Sequence, residues 1–474
     1  MVKRLAVLSL MFTTVFVSDW TFWKLTVAAS HPIPSWDGMV YWINGASFLQ
    51  GRYPIYEFFR PPLLPFFLAL TQMVGLSLQT AYLWHPIATG LSGIALFFLL
   101  KSFVREWIAS AGVVIYLTTS VVQFWSTTIL THGFTMLFLI TGLCFLIRPS
   151  FKSGIVGAAF LSLAVFTRYP VGLIVLPIGL WVALQRRKLI DIDKIVIGSF
   201  APLLPILLIY PQGLIVTIGQ IYRAEILGDK SVFVGGSALP PYVPPTIYIN
   251  WILGNLQFLS IFLGIGLVVA AKSTRARTLV FWFVPYLVFF SFIANRQDRF
   301  IFELAPAFAA LVVIGFEYVL RRFKDVRLLP LFILLLVGIY AVDQTLAGLP
   351  QQQVEWGSGV VPSQGPLVTT LQLVGREIQL HSQPSDVVLA EDKVPWLSYY
   401  SSRFVYLARL EQVASGTVLE NYVASFNPHP SLLVAVPSFG SNVTFVKAQP
   451  YLALIEVIDT PAWGQVYLFQ VALP

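Results

Sequence analysis

The residues of this sequence best suited to chemistry are one acid and a scatter of arginines. Asp37 lies in a stretch, 31–70, that follows the first apolar run. That stretch also holds Trp36, Tyr41 and Trp42, a Gly-Arg-Tyr-Pro turn at 51–54, and the run Glu57, Phe58, Phe59, Arg60, Pro61, Pro62. A connector between membrane helices has no stability reason to be this long or this aromatic, although Trp and Tyr also settle at headgroup depth with no further duty. A carboxylate here can take a proton from an incoming hydroxyl or amine nucleophile. Its plainer use is to cap the helix that starts near Gly38. Arg60 precedes two prolines, which hold it extended. Its planar fork of donors matches a phosphate, while snorkelling to ordinary headgroups is the alternative. Arg168, Arg296 and Arg299 offer the same chemistry, and Asp298 could simply pair with one of the last two. His132, after Thr131 at the start of an apolar run, could donate to a sugar or phosphate or ligate a metal. Alone, it is more often a helix-mouth histidine with a local partner, as are His31 and His85.

The elements that must position these groups are membrane helices. Of 474 residues, 57% are hydrophobic and 11% charged, and the mean hydropathy is +0.77. A soluble globular protein has about 25% charged residues. The composition therefore indicates a polytopic membrane protein. Apolar runs long enough to cross, or nearly so, fall near 5–27, 80–100, 107–125, 129–147, 154–167, 171–184, 195–216, 247–271, 278–294, 301–320 and 328–348. The expected fold is an all-α polytopic bundle of about 11 transmembrane helices plus juxtamembrane helices. The first run continues to about Ala29 with no clear cleavage site, which reads as an uncleaved helix rather than a signal peptide. The single cysteine, Cys144, lies inside an apolar run and leaves the redox compartment open.

The net charge of +8 does not point to nucleic acid, because the basic residues sit in short clusters between apolar runs. With the N-terminus in the cytoplasm of a plasma-membrane protein, 17 of the 30 basic residues fall in inward loops and eight in outward ones, Lys24 among the eight. This bias holds if 63–76 lies on the surface or inserts only partly. Residues 31–62, His132, Arg168, the 217–246 loop and the 295–299 turn then share the outer face. Arg168, Arg296 and Arg299 stand out, since they lie where topology keeps basic residues scarce. Arginines converging on a lipid phosphate would explain the exception.

Residues 1–348 form the expected membrane domain and 349–366, rich in Gln, Ser and Pro, a linker. Residues 367–474 read as a small extracytoplasmic α/β domain, with a helix over 367–380 and strands over 387–390, 404–407, 431–436, 443–447, 452–458 and 465–471. No zinc-type spacing, Walker loop, dinucleotide fingerprint or nucleophile elbow is present. A soluble nucleotide donor thus has no visible site, and the donor is expected in the membrane. A divalent ion could be held by an acid beside a phosphate, but arginines alone could also hold that charge.

An acidic first loop, then Tyr41, Ala46, Gly51, Tyr53 and Pro54 at fixed spacing, then Arg60-Pro61-Pro62-Leu63, resembles the glycosyltransferases of the GT-C fold that use polyprenyl-phosphate-linked sugars. Protein O-mannosyltransferases and bacterial lipid A aminoarabinose transferases are the nearest in style. Arg299-Phe300 followed by Pro306, and Tyr399-Tyr400 with Arg403 in the tail, are similar to stretches of those proteins. The resemblance covers about 1–345. It implies direct, inverting transfer of a sugar from a polyprenyl or dolichyl phosphate to a protein, lipid or glycan acceptor. Asp37 would be the base, Arg60 and Arg299 the phosphate contacts, and Tyr53 would lie with them. Some relatives carry a second acid at the outer mouth of the fourth span, where this chain has Thr131-His132; His132 or Glu57 would take that role. A transporter or flippase of a lipid-linked glycan is the alternative, and a non-catalytic assembly protein a third. Charged residues gather at the helix mouths rather than inside the spans, and no repeated halves are visible, which favours the transferase.

Overall fold

A computed structural model describes residues 2–29, 36–49, 60–147, 151–186, 198, 244–293, 298–351, 366–391, 393–407, 430–437 and 443–472. Tyr53, Glu57 and Arg296, residues 352–365 of the linker, and the expected span at 195–216 apart from Gly198 lie outside the described residues.

The first helix, α1 (Val2–Ala29), is long enough to cross a bilayer. Lys24, expected in an outward loop, lies within α1; it is wholly buried, with Nζ 3.9 Å from the ring centre of Trp23. Next come α2 (Trp36–Leu49) and α3 (Leu63–Met73), packed on each other. Gln72 of α3 donates to the Trp42 carbonyl of α2 at 2.9 Å, and the eleven residues of α3 suit a partly inserted helix better than a span. Then α4 (Leu78–Leu100), capped by Ser77, runs beside α1.

The expected span at 107–125 is two helices, α5 (Glu106–Thr118) and α6 (Ser120–Trp125). Three hydroxyl residues in a row, Thr118, Thr119 and Ser120, mark the break. Thr118 and Thr119 donate back to the carbonyls of Val114 and Ile115, and the Ser120 N–H turns to Gln344. After α7 (His132–Leu146) and α8 (Phe151–Thr167), a 3-10 turn at Tyr169–Val171 leads into α9 (Gly172–Arg186). The run at 247–271 is likewise a pair, α10 (Ile247–Leu256) and α11 (Leu259–Lys272), bent by 114° at Gln257, whose φ is +46°. Helix α12 (Arg277–Phe292) precedes a 3-10 helix at Asp298–Leu304 that runs into α13 (Ala305–Arg322) and then α14 (Leu329–Gln351). Among the described residues, four helices are long and apolar enough to cross a membrane, and a bent pair adds a fifth. The other expected spans among the described residues are apolar helices of 10–17 residues, so eleven full crossings are not seen.

The centre of the bundle is α13, apolar on every side and buried from Ala305 to Glu317. It crosses α11 where two glycines meet opposing backbone. A Cβ on Gly266 would lie 1.8 Å from the Leu311 carbonyl oxygen, and one on Gly315 2.2 Å from that of Phe262. Small residues let helices approach this closely in lipid. Gly266→Ala is expected to lower the thermal midpoint in detergent by several degrees. Gly264→Ala, whose Cβ would meet nothing within 4 Å, serves as the control and leaves it within about a degree.

Beyond the membrane helices, α15 (Pro366–Leu380) and α16 (Val394–Ser401) cover one face of a five-stranded mixed sheet of order β2-β1-β3-β5-β4. The strands are β1 (Val387–Ala390), β2 (Phe404–Leu407), β3 (Pro430–Ala435), β4 (Leu452–Thr460) and β5 (Gly464–Val471). The first three are parallel, and β5 runs antiparallel to both β3 and β4. The segment expected as a strand at 443–447 is instead a short helix, α17 (Val443–Lys447). Its Val446 is buried on the other face of the sheet with Leu389, Leu433 and Phe469, so burial rather than strand propensity sets its form. Helix α16 packs against α2.

Candidate active site

Asp37 sits in the first turn of α2, where an acid suits the positive end of the helix. The helix starts at Trp36, not near Gly38, so Asp37 lies inside the first turn and its carboxylate is bound by side chains instead of capping. Arg60 Nη2 donates to its Oδ1 at 2.8 Å, and Arg299 Nη1 donates to its Oδ2. Arg60 arrives from the turn ahead of Pro61-Pro62 and α3, and Arg299 from the 3-10 helix before α13. Residues 23 and 262 positions away thus close on one carboxylate whose side chain is 16% exposed. Burial alone would raise the Asp37 pKa. The two guanidinium groups outweigh it and hold the carboxyl well below the usual carboxylate range.

One turn further along the same 3-10 helix is Glu303, fully buried. Its Oε1 lies 2.5 Å from His132 Nδ1 at the start of α7 and 2.9 Å from Arg168 Nε, which follows α8. Its Oε2 accepts from the Tyr286 hydroxyl of α12 at 3.1 Å, and its main-chain carbonyl accepts from Trp282 Nε1 at 2.9 Å. With Nδ1–H donated to Glu303, the His132 Nε2 is the nitrogen left for another partner; it is buried and has none among the described residues. The ring of His132 stacks on Phe302 at 5.0 Å.

Aromatic rings join the two groups. The Phe300 ring centre lies 5.2 Å from the Arg168 guanidinium carbon and 5.8 Å from that of Arg299, and Tyr41 lies 5.2 Å from that of Arg60. Cations over ring faces are held without being neutralised. Among the described residues the cluster has three guanidinium groups against two carboxylates, so with a neutral imidazole it is one positive charge over. That surplus, with planar donors converging from three elements, suits a phosphate.

Of the residues picked out from the sequence, Asp37, Arg60, Arg168, Arg299 and His132 therefore gather at one end of the bundle. The local partner expected for a helix-mouth His132 is not what is seen: its carboxylate partner, Glu303, is 171 residues away. Glu303 was missed, although a carboxylate within the apolar run at 301–320 is itself a signal, since charge inside a membrane segment is costly unless used. Nothing in the sequence singles out Tyr286 or Trp282.

No family model matches the chain, and no curated protein matches it by sequence. Solved structures are similar to it across nearly its whole length. ArnT from Cupriavidus metallidurans bound to undecaprenyl phosphate has a TM-score of 0.65 at 13% identity, over 96% of this chain and 97% of that one. The archaeal oligosaccharyltransferase AglB from Archaeoglobus fulgidus, in complex with an inhibitory peptide and a dolichol-phosphate, has a TM-score of 0.58 at 10% identity, over 96% of this chain and 74% of that one. The arabinofuranosyltransferase AftD from Mycobacteria has a TM-score of 0.59 at 12% identity, over 97% of this chain and 42% of that one. The chain has the GT-C fold that these glycosyltransferases share.

Proposed function

We propose that this protein is a membrane glycosyltransferase that moves a sugar from a polyprenyl or dolichyl phosphate to an acceptor on the outer face of the plasma membrane. The observation that carries the reading is Asp37 held between Arg60 and Arg299, an acid and phosphate-binding groups in one place within a GT-C fold. The acceptor, a protein, lipid or glycan, presents an O–H or N–H to the sugar C1. Its oxygen or nitrogen attacks C1 from the face opposite the phosphate, the C1–O bond breaks, and the configuration inverts. Asp37 takes the acceptor's proton as general base. The bond's electrons leave with the lipid phosphate, which Arg60, Arg299 and Arg168 stabilise as its charge rises. His132, its proton held on Nδ1 by Glu303, presents Nε2 as an acceptor for a sugar hydroxyl. The N-terminus is cytoplasmic, and the sheet lies outside with the site.

The test uses purified protein with labelled sugar on a polyprenyl phosphate and envelope extract as acceptor source. The expected result is free polyprenyl phosphate in equal amount to glycosylated acceptor, with the opposite anomeric configuration. Intact donor crossing a vesicle bilayer, with no free phosphate formed, would make the protein a flippase and overturn the reading.

A further inference from the structure

The second cluster of ligand-type side chains lies far along the chain from the site, where α15 meets the edge strand β4. Glu377 and His381 are four residues apart and so share one face of the helix. The His381 N–H bonds the Glu377 carbonyl at 3.1 Å, which carries the helical spacing through His381. Arg403 fixes that end of the helix, donating to the carbonyls of Gln379 and Ser382 at 3.2 and 2.8 Å.

Glu456 comes from β4, and a slip in strand register brings it there. In an unbroken strand residues 452, 456 and 458 would share a face. Leu452 instead packs with Leu389, Leu433 and Phe469, while Ile458 belongs to the core on the α15 side. The irregularity between Leu454 and Glu456 turns the strand over and presents Glu456 to His381.

The distances are longer than direct hydrogen bonds and match the spacing of ligands about one ion. His381 Nε2 is 3.9 Å from a Glu377 carboxylate oxygen and 3.4 Å from one of Glu456, and the ligand atoms of all three lie within 4.8 Å of one another. A charge-assisted hydrogen bond would close to about 2.8 Å. Four ligands around a tetrahedral zinc, with bonds of about 2.0–2.2 Å, stand about 3.3–3.5 Å apart. Two carboxylates this close repel each other unless a cation lies between them. One imidazole and two carboxylates form a zinc-type donor set with one position left for water.

We propose that Glu377, His381 and Glu456 bind a divalent zinc-type cation that staples the edge strand β4 to the end of α15. All three side chains reach solvent, so the ion enters without unfolding.

Calorimetry on the full-length protein, stripped with chelator and titrated with zinc, tests this. One saturable equivalent per chain is expected, with a dissociation constant in the micromolar range or tighter. His381→Ala and Glu456→Gln should each weaken it at least tenfold, and zinc should raise the thermal midpoint of the parent but not of either variant. No saturable uptake, or uptake that His381→Ala and Glu456→Gln leave unchanged, would overturn the proposal.

Discussion

Asp37→Asn is expected to abolish sugar transfer and, at the same time, to bind free polyprenyl phosphate more tightly than the parent does. In the proposed mechanism the loss of transfer follows from removing the base, an effect of about 10²- to 10⁴-fold. The gain in affinity follows from the ion pairs. Arg60 and Arg299 are both spent on Asp37 when no donor is bound. A phosphate must compete with that carboxylate for its ligands. Asparagine offers no charge to compete, and freeing one charge-assisted hydrogen bond of about 1.5–3 kcal/mol gives about tenfold or more in the dissociation constant. The same exchange runs through the proposed reaction. As Asp37 takes the proton it becomes neutral, while the departing phosphate gains one negative charge. The two arginines therefore pass from one anion to the other and the net charge of the site is conserved. Equilibrium binding of a labelled polyprenyl phosphate to the purified variant measures this, and weaker binding than the parent's would sink the competition. A pH profile gives an independent reading. In the free enzyme the arginines hold Asp37 ionised far into the acid range, so kcat/KM shows no acid limb from it above about pH 4. Once a donor draws the arginines away, burial pushes the carboxyl up, and kcat does fall on the acid side.

The second large effect is expected at Glu303. Glu303→Gln leaves Arg168 buried against a neutral amide and removes the anion that fixes His132. Breaking a buried ion pair by removing one partner costs about 3–5 kcal/mol. Transfer should fall at least about 100-fold, because a phosphate ligand and the imidazole both lose their orientation. A double variant, Glu303→Gln with Arg168→Met, should recover much of the thermal midpoint, since no unpaired charge remains, yet stay inactive. Additive losses in the two single variants would show that the residues do not act as a unit.

How much of this could be read from the chain depended on whether each residue carried a local signal. Asp37 and Arg60 sit in a stretch whose length and aromatic content set it apart, and Pro61-Pro62 marks Arg60 directly. Arg168 and Arg299 were visible as exceptions to the charge bias. The strands at 387–390 and 404–407 follow from short apolar β-branched runs, and the observed β1 and β2 have those bounds. What stayed hidden was long-range pairing. The bond from His132 to Glu303 spans 171 positions, and the break at Thr119 is visible only once side-chain hydroxyls are seen competing for the helix backbone. At 443–447 the alternation reads as a strand, and packing against the sheet made it a helix.

The contact between α16 and α2 has a practical consequence. Helix α2, which carries Asp37, is braced by a piece of the tail, and Gly375 admits Tyr400 so closely that a methyl group there would lie 2.6 Å from its Cβ. A protease that clipped the tail would therefore disturb the helix that holds Asp37. A chimera that borrowed another protein's tail would need to carry the matching surface of α2 along with it.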